Sequence, residues 1–379
     1  MEIYLDNAAT TKPCRESLNA VTECMTRNYG NPSSLHSAGL RAQLVIDNVR
    51  KIIAKALAVD PAGIYFTSGA TESNNLAILG AAASYGKRRP KIITTTVEHA
   101  SVRNSVRYLE DQGYEVVRIA PDSNGVINHE DVINSADERT CLVSMMLVNN
   151  ETGYILPVRR AFYGIKKRFP DCITHCDAVQ GFMKIPVKAS ELNADLISLS
   201  AHKIYGGKGV GALYIKKNVR LKNLIFGGSQ EKGMRPGTEN VPMIAGFGEA
   251  VRVLSGSIQK RYDGISRLKS MFCERISKND GIIINSGDEC LPYIINISVP
   301  GIRSEIMLHF LEEKEIYVSS GSACSKGAKS GVLSEFRLSD ELSDSALRIS
   351  LSHETTVQEL RILAETIENG MQRLQRKSR

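Results

Sequence analysis

Short apolar runs alternate with longer helical patterns along this chain, and this alternation restricts its fold more than any other feature. One complete unit consists of a β-branched strand over 91–95, a helix that Gly113 can end, and a second strand over 114–119. Three further apolar runs are interpreted as buried strands: 140–148, 172–179 and 194–200. Strands separated by helices in this way build a largely parallel sheet that helices cover. The sequence therefore predicts an α/β protein.

The pattern changes near residue 250. A long helix-like stretch covers 250–277, and shorter strands and a final helix follow it. Thr356 and Glu359 have the spacing of a capping box at the start of that last helix. A second, smaller domain is predicted to begin near this change.

Composition narrows the class of protein. The chain has 379 residues, of which 42% are hydrophobic, and no apolar run is long enough to cross a bilayer. Its formal charge of +7 is spread along the chain, which favours small anionic ligands or an acidic partner surface and does not predict binding to nucleic acid. Eight cysteines lie scattered, without the spacing of a zinc site or a disulfide scaffold, and the nearest pair, Cys172 and Cys176, is interpreted as packing residues. A soluble protein of the reducing cytoplasm is expected.

Polar side chains follow four of the predicted strands. They are His99, the sequence NNETG at 149–153, Asp177 with Gln180, and the sequence SAHK at 200–203. Ligands of open α/β sheets bind beyond the carboxyl ends of the strands, so these side chains are expected to meet in one pocket. Each of them alone is also consistent with ordinary loop composition, and a single histidine is more often structural.

An anion site is predicted at a fifth strand end. A short strand over 64–67 leads through Ser68 and Gly69 into a helix that begins near Ala70 and Thr71. Backbone N–H groups and the helix dipole favour phosphate at such a position. The alternative is an ordinary helix start with Glu72 in the first turn. A nucleotide triphosphatase loop needs Gly-Lys-Ser/Thr at the entry of a helix. The turn at Gly69 has no such lysine, and GGKGVG at 206–211 precedes a strand, so neither fits.

Lys203 precedes this glycine-rich turn, where it could bind a phosphate, form a covalent bond to a carbonyl, or be solvated. A phosphate cradle, a lysine, an aspartate and a histidine at neighbouring strand ends suggest pyridoxal phosphate. The lysine amine can form a Schiff base with the aldehyde, and a carboxylate keeps the ring nitrogen protonated.

The chain resembles the cysteine desulfurases, the NifS/IscS branch of the class V aminotransferase fold, over essentially its whole length. The segments that carry the resemblance are YLDNAATT, GNPSSLH, TSGATESNN, EHAS, NNETG, HCDAVQ, SAHKIYGGKGVGALYI, RPGTEN, SSGSACS and ALRISL. The resemblance implies a large domain over 13–252 with a mostly parallel seven-stranded sheet. It also implies a smaller α+β domain formed by 1–12 and 253–379.

The resemblance also implies how pyridoxal phosphate is bound. Lys203 bonds to the aldehyde, Asp177 pairs with the ring nitrogen and Gln180 lies near the phenolic oxygen. His99 stacks on the ring and takes part in proton transfer, and Asn150 lies near the cofactor and the substrate. The implied phosphate contacts come from Ala70, Thr71, Ser200, His202 and, out of a second subunit of a homodimer, Thr238.

Arg348 is implied to bind the carboxylate of the substrate, L-cysteine. The residues themselves are consistent with this role, since Leu347, Ile349 and Leu351 alternate with Arg348 along a strand and place it on the face opposite the core. Arginine is well suited to a planar carboxylate. The alternative is a strand arginine paired with solvent or an acid.

Cys324 lies among small residues and glycines that predict a mobile loop. The resemblance implies that it is the nucleophile that collects sulfur as a persulfide and delivers it to an acceptor protein, such as an iron–sulfur scaffold or a tRNA-thiolation enzyme. No resident metal is implied, although the same cysteine would contact a nascent iron–sulfur cluster on a partner. Two alternatives are a selenocysteine lyase or another class V pyridoxal enzyme, and a non-catalytic assembly subunit. The intact Lys203, Asp177, His99 and Cys324 argue against the second.

Overall fold

The computed structural model describes residues 2–320 and 331–376. The strands in chain order are β1 (Ile3–Tyr4), β2 (Ile64–Thr67), β3 (Lys91–Thr95), β4 (Glu115–Ile119), β5 (Thr140–Met146), β6 (Ile173–Asp177), β7 (Leu196–Ser200), β8 (Gly211–Ile215), β9 (Ile283–Ile284), β10 (Ile294–Ser298), β11 (Ile316–Tyr317), β12 (Ser319–Ser320) and β13 (Ala346–Ser350). The helices in chain order are α1 (Arg15–Thr26), α2 (Ser37–Leu57), α3 (Ala70–Tyr85), α4 (Ala100–Asp111), α5 (His129–Asn134), α6 (Val158–Arg168), α7 (Ala189–Leu192), α8 (Val241–Ser255), α9 (Ile258–Ile276), α10 (Ser304–Glu312), α11 (Gly331–Glu335), α12 (Asp340–Asp344) and α13 (Val357–Arg376).

The central sheet has seven strands in the order β2-β8-β7-β6-β5-β3-β4. Neighbouring strands from β7 through β4 pair in parallel, whereas β8 runs antiparallel to both β7 and β2. Helices connect the parallel strands, as they must when a chain returns to the same end of a sheet. The predicted α/β class and the mostly parallel seven-stranded sheet are confirmed.

The unit predicted over residues 91–119 is confirmed in detail. All residues of β3 are buried, which explains the apolar and β-branched residues that follow Lys91 in it. Helix α4 follows, and Gly113, with φ of 89°, turns the chain back into β4. This left-handed backbone favours glycine, so the residue that was predicted to end the helix does so.

Strands β5, β6 and β7 are buried throughout, and they form the centre of the sheet. His175 lies inside this apolar region between two hydroxyl groups. Its Nδ1 is 2.8 Å from Ser144 Oγ on β5, and its Nε2 is 3.0 Å from Ser198 Oγ on β7. Burial lowers the pKa of His175 to about 3, so the ring stays neutral. This polar bridge fixes β6 two residues before Asp177.

A second, antiparallel sheet has the strand order β12-β13-β10-β9, and β1 pairs with β11 beside it. The N-terminal segment joins the two halves of the fold. Ser350 N donates to Leu5 O at 2.7 Å, and Thr11 N donates to His202 O at 2.8 Å. The bounds 13–252 for the large domain, and 1–12 with 253–379 for the small one, remain predictions.

One helix prediction was wrong in part. The stretch over 250–277 is divided between α8 and α9 instead of forming one helix. Gly256 ends α8, and Ser257, with φ of −152°, leaves the helical region. Arg261 donates to Ser257 Oγ and to Leu254 O, so its guanidinium connects α9 to the end of α8 across the break.

Other local predictions hold. Glu359 N donates to Thr356 Oγ1 at 3.2 Å, and Thr356 N donates to Glu359 Oε2 at 2.7 Å, which is the expected capping box. Cys172 and Cys176 are fully buried packing residues, and burial raises the pKa of the Cys172 thiol to about 12. Across residues 2–320 and 331–376, the helices are too short or too polar to span a bilayer.

Candidate active site

A cavity of about 680 Å³ lies at the carboxyl ends of the parallel strands, beside the N-terminus of α3. The residues predicted from separate parts of the sequence meet here, as expected for an open α/β sheet. Those that line the cavity are Ala70, Thr71, His99, Asn150, Asp177, Gln180, Ser200, His202, Lys203 and Arg348. Each therefore lies where a single bound molecule could touch it.

Lys203 ends a short 3-10 turn, Ala201–Lys203, that follows β7 directly. Its Nζ donates to Ala8 O at 2.8 Å and to Ala9 O at 2.6 Å. Both carbonyls belong to the N-terminal segment that joins the two sheets. The lysine is thus not a solvated loop residue, because its amine is fixed at the wall of the cavity.

Asp177 ends β6 and is buried. Its Oδ1 accepts a hydrogen bond from Val179 N at 3.1 Å, and its Oδ2 accepts one from Asn74 Nδ2 at 2.8 Å. Asn74 was missed by sequence reasoning. The available signal was its place in TSGATESNN, one turn of α3 after Ala70, which directs it towards the same strand ends.

The same amide connects Asp177 to His99. Asn74 Nδ2 donates to Ser101 Oγ at 2.8 Å, so the Ser101 hydroxyl is free to donate to His99 Nδ1, also at 2.8 Å. Ser101 N donates to His99 Nδ1 too, at 3.2 Å, because His99 is the N-cap of α4. With Nδ1 accepting, the proton of the neutral ring lies on Nε2.

The charge state of His99 follows from its surroundings. Burial lowers the pKa of His99, Asp177 opposes this shift, and Lys203 adds to it. The ring is therefore neutral at pH 7. A flat, neutral ring beside a cavity that also contains a carboxylate and an amine can stack against an aromatic ligand.

The N-terminus of α3 lines the part of the cavity where an anion site was predicted, which is called the anion end here. Gly69 has φ of 157°, and Ala70 and Thr71 follow it at the cavity wall. Glu72 Oε2 accepts from Ser68 N at 2.5 Å, so the alternative interpretation of Glu72 as a helix-start residue is also correct. His202 Nδ1 lies 3.2 Å from Thr10 Oγ1, and burial with the nearby lysines lowers its pKa to about 4.

Arg348 occupies the other end of the cavity. It is buried on β13, where its Nη2 donates to Asp6 Oδ1 at 2.8 Å and its Nη1 donates to Asn150 O at 3.0 Å. The predicted alternation is confirmed, because Leu347 and Ile349 enter the core while Arg348 lines the cavity. The acid partner of the alternative interpretation also exists. Asp6 was missed by sequence reasoning, although it lies inside the segment YLDNAATT.

Two predicted residues are not part of this cavity. Thr238 is exposed and borders a smaller neighbouring cavity of about 240 Å³ with Arg235 and Glu239. Cys324 lies outside the described residues. Ser319 and Ser320, the last described residues before it, line the large cavity. Within the described part of the chain, no group of three His, Cys, Asp or Glu side chains could hold a metal ion.

The residues present fit pyridoxal phosphate. The Ser200 hydroxyl is buried at the anion end without a hydrogen-bonding partner, and the amides of Ala70 and Thr71 lie at the same cavity wall. A buried hydroxyl of this kind normally has a partner, and a phosphate oxygen would supply one. Lys203 and Asp177 line the same cavity, and an amine and a carboxylate are the groups that an aldehyde and a ring nitrogen require. The fold and the site together define the class of α/β enzymes that bind a phosphorylated cofactor at strand ends.

The family model "Aminotransferase class-V" matches residues 3–363. This chain belongs to the class V aminotransferase family, whose members are pyridoxal phosphate enzymes. It is 40% identical over 367 residues to the cysteine desulfurase IscS of Rickettsia typhi, a match that covers 95% of this chain and 88% of that protein. It is 38% identical over 377 residues to the cysteine desulfurase IscS of Dictyoglomus turgidum, covering 98% and 95%.

Solved structures give the same result. A NifS-like protein superimposes with a TM-score of 0.92 at 36% identity, covering 97% of this chain and 99% of that one. A NifS-like protein from Rickettsia africae superimposes with a TM-score of 0.87 at 31% identity, covering 98% and 99%. The resemblance found in the sequence motifs is therefore confirmed.

Proposed function

We propose that this protein is a pyridoxal phosphate-dependent cysteine desulfurase. It converts L-cysteine to L-alanine and collects the sulfur as a persulfide on Cys324. The observation that carries the proposal is one cavity in which Lys203, Asp177 and the unpartnered Ser200 hydroxyl lie together with Arg348. The relatives named as cysteine desulfurases, which match nearly the whole chain, support the same activity.

The described residues divide between the two ends of the cofactor. Asp177, kept in place by Asn74 and Val179, would hold the ring nitrogen, and His99 would cover the ring. Gln180 would contact the phenolic oxygen, and Asn150 would lie near both cofactor and substrate. Residues that would hold the phosphate are Ala70, Thr71, Ser200, His202 and, from a second subunit, Thr238. When bound, the cofactor supplies an aldehyde for the amine and an electron sink for the bond broken at Cα.

Lys203 and Arg348 act on the substrate. Arg348 binds the carboxylate, and its Nε, which is buried without a partner, leaves a donor available beside the contacts to Asp6 and Asn150. Lys203 leaves Ala8 O and Ala9 O to take the proton from Cα as a base. Neutral His99, with its proton on Nε2, can donate a proton at the same wall of the cavity.

The sulfur step uses Cys324. Its thiolate attacks the sulfur of the substrate, so an S–S bond forms as the Cβ–S bond breaks. The electron pair of the broken bond stays with the substrate carbon, which takes up a proton on the way to alanine. Acceptors of the persulfide are an iron–sulfur scaffold protein or a tRNA-thiolation enzyme, with Cys324 in contact with a nascent cluster in the first case.

The proposal includes a homodimer in the cytoplasm. Thr238 lies outside its own chain's cavity, which suits a contribution to a second subunit. Leu35, Leu40 and Leu44 are exposed at and near the start of α2, and an apolar surface of this kind favours a second copy of the chain. The described cysteines are free thiols, which suits a reducing compartment.

Two substitutions test the proposal. Purified protein should be yellow, and borohydride should bleach the colour by reducing the bond to Lys203. Lys203→Ala should lose this reaction and lower alanine formation from cysteine on the order of a thousandfold or more, because base and covalent anchor are lost together. Cys324→Ser should keep the colour but form no persulfide, as measured by protein mass.

The two variants test the roles of Lys203 and Cys324, and the wild-type rates test the choice of substrate. Bleachable colour retained in Lys203→Ala would contradict the assignment of the lysine. One outcome is a Cys324→Ser protein that still releases selenium from selenocysteine while it releases no sulfur from cysteine. Both a desulfurase and a selenocysteine lyase predict that result. The rates of the wild-type protein on cysteine and on selenocysteine therefore decide between them.

A further inference from the structure

Lys184 is a buried lysine that none of the assigned roles explains. Only 6% of its surface is exposed, and it lies in the turn after β6, next to Met183, whose φ is 61°. Lys184 N donates to Gly181 O at 3.0 Å, so the backbone of this turn is fixed. The side chain is therefore held inside the protein behind the wall of the cavity.

The amine of Lys184 has few partners. Its Nζ donates to Gln180 Oε1 at 3.0 Å and lies 5.8 Å from the ring centroid of Tyr293. Among the described residues, no carboxylate lies within ion-pair distance of it. A buried ammonium without an acid costs several kcal/mol, and a methionine would fill the same space without that cost. A lysine at this place therefore needs a reason other than packing.

The contact determines the orientation of the Gln180 amide. An ammonium can only donate hydrogen bonds, so the amide atom that faces Lys184 must be the oxygen. The NH2 group then faces the opposite side, where Gln180 Nε2 donates to Ala8 O at 2.9 Å. Ala8 O also accepts the bond from Lys203 Nζ. One chain of contacts thus runs from Lys184 through Gln180 and Ala8 to Lys203.

We propose that Lys184 is a positioning residue that acts through Gln180. It holds the amide with its NH2 group towards Ala8 and the cavity, and it adds a buried positive charge behind Lys203. This inference rests on the proposed function, since it concerns the residues that hold the cofactor and the amine that reacts with it.

The charges around Lys184 support this role. The charged and titratable groups near it are Lys203, Arg348, His202 and Tyr293. Burial lowers the pKa of Lys184 to about 7, and Lys203 and Arg348 add to the shift. Like charges disfavour each other's protonated forms, so Lys184, while it carries its proton, makes a proton on Lys203 less stable. An amine that loses its proton more easily is a better nucleophile and base.

Lys184→Met tests the proposal on the holoenzyme. The pH midpoint of the visible absorption of the bound cofactor should rise by roughly half a unit or more, because a neighbouring positive charge is removed. Lys184→Arg keeps the charge and the donor, so its midpoint should lie much closer to that of the wild type than the midpoint of Lys184→Met does. The matched control is Lys188→Met, four residues later, where an exposed lysine forms an ion pair with Glu191 at 3.1 Å. Its midpoint should equal that of the wild type.

A double mutant tests whether the effect passes through Gln180. Gln180→Leu should change the midpoint too, and Lys184→Met in that background should change it by less than it does in the wild type. Fully additive shifts would show that Lys184 acts through its charge alone and not through the amide, which would overturn the positioning role. Lys184→Gln replaces Lys184→Met if the latter does not fold, as judged by its thermal transition.

Failure of this inference differs from failure of the proposed function. A folded Lys184→Met protein with the wild-type midpoint would overturn the positioning role while the enzyme remained coloured. If the wild-type protein binds no cofactor, the proposed function fails instead. In that case the rate at which Lys203 is acetylated is measured against pH in the same variants. Lys184→Met should raise the pH midpoint of this rate. A midpoint equal to that of the wild type would overturn the inference.

Discussion

At the scale of single residues, one amide organises the polar centre of the cavity. The Asn74 NH2 group donates to Asp177 and to Ser101, and Ser101 in turn fixes the tautomer of His99. The carboxylate ends one strand and the histidine follows another, so their relative orientation depends on a helix residue that does not itself line the cavity. Asn74 is fully buried, which makes its loss costly.

Asn74→Leu should weaken cofactor binding. Removing the amide leaves Asp177 Oδ2 without its donor and frees Ser101 to rotate, so the dissociation constant for pyridoxal phosphate should rise by about tenfold, and the free energy of unfolding should fall by about 1–3 kcal/mol. Absorption titration with the cofactor and urea unfolding measure the two effects.

The control for this change is Asn75→Leu. The Asn75 amide donates to Thr71 O within the same helix and should be replaceable with less than a twofold change in cofactor affinity. Equal affinities for Asn74→Leu and the wild type would show that the carboxylate needs no support from α3.

At the scale of elements, the anion end depends on how closely β8 approaches the turn before α3. A Cβ atom on Gly211 would lie 2.7 Å from the Cα of Gly69 and 2.6 Å from Leu199 O, nearer than real Cβ contacts allow. Gly69 itself adopts φ of 157°, which side chains rarely permit. Gly211, the last glycine of GGKGVG, therefore serves close packing between β8 and the turn before α3.

Gly211→Ala should disturb this junction. The added methyl group meets backbone atoms that cannot move without shifting the start of α3, so the free energy of unfolding should fall by about 1–3 kcal/mol and the affinity for the cofactor phosphate should fall with it. Urea unfolding and titration with pyridoxal phosphate are the measurements.

Gly256→Ala is the matched control, since nothing lies within 4 Å of a Cβ atom there and φ is −76°. That variant should be as stable as the wild type or slightly more so, because alanine reduces the freedom of the unfolded chain. A Gly211→Ala protein with wild-type stability would mean that β8 can move away from Gly69.

At the scale of the whole molecule, a buried acid links stability to pH. Glu98 precedes His99 and is almost completely buried, with Thr95 Oγ1 and Met146 N donating to its Oε1 at 2.7 and 3.0 Å. Its Oε2 has no partner. Burial raises the pKa of Glu98 to about 8, and the charge of Asp177 adds to the shift, whereas the two donors oppose it.

Glu98→Gln should therefore reduce the pH dependence of folding. Between about pH 4.5 and 8 the folded protein keeps a proton on Glu98 that the unfolded chain releases. The stability due to this group is therefore greatest in acid and is lost as the pH rises through 8. Relative to the variant, the wild type should lose up to about 1.4 kcal/mol per pH unit in this window.

Urea unfolding of both proteins at pH 5, 6, 7 and 8, at one protein concentration, measures the difference. The neutral amide has nearly the shape of the protonated acid, so the two proteins should be close in stability at pH 5, and the variant should be the more stable at pH 8. A difference that stays constant with pH would show that Glu98 is ionised in the folded protein.

Much of the fold and the site could be predicted from local sequence. Continuous burial of β3, β5, β6 and β7 gives short runs rich in apolar and β-branched residues, and Gly113 turns the chain where a left-handed residue is required. Parallel strands bring their carboxyl ends to one edge, so His99, Asp177 and Lys203 could be assigned to one pocket before their distances were known. The break at Gly256 was missed because a helical period continues on both sides of it.

What the sequence by itself determined was the type of each element and the chemical groups at the strand ends, because both depend on neighbours a few positions away. Only the tertiary structure decided which groups meet across long separations. Asp6 pairs with Arg348 and Ala8 accepts from Lys203, each across more than 190 positions. Such contacts depend on how the two sheets close around the N-terminal segment, and no local periodicity encodes that packing.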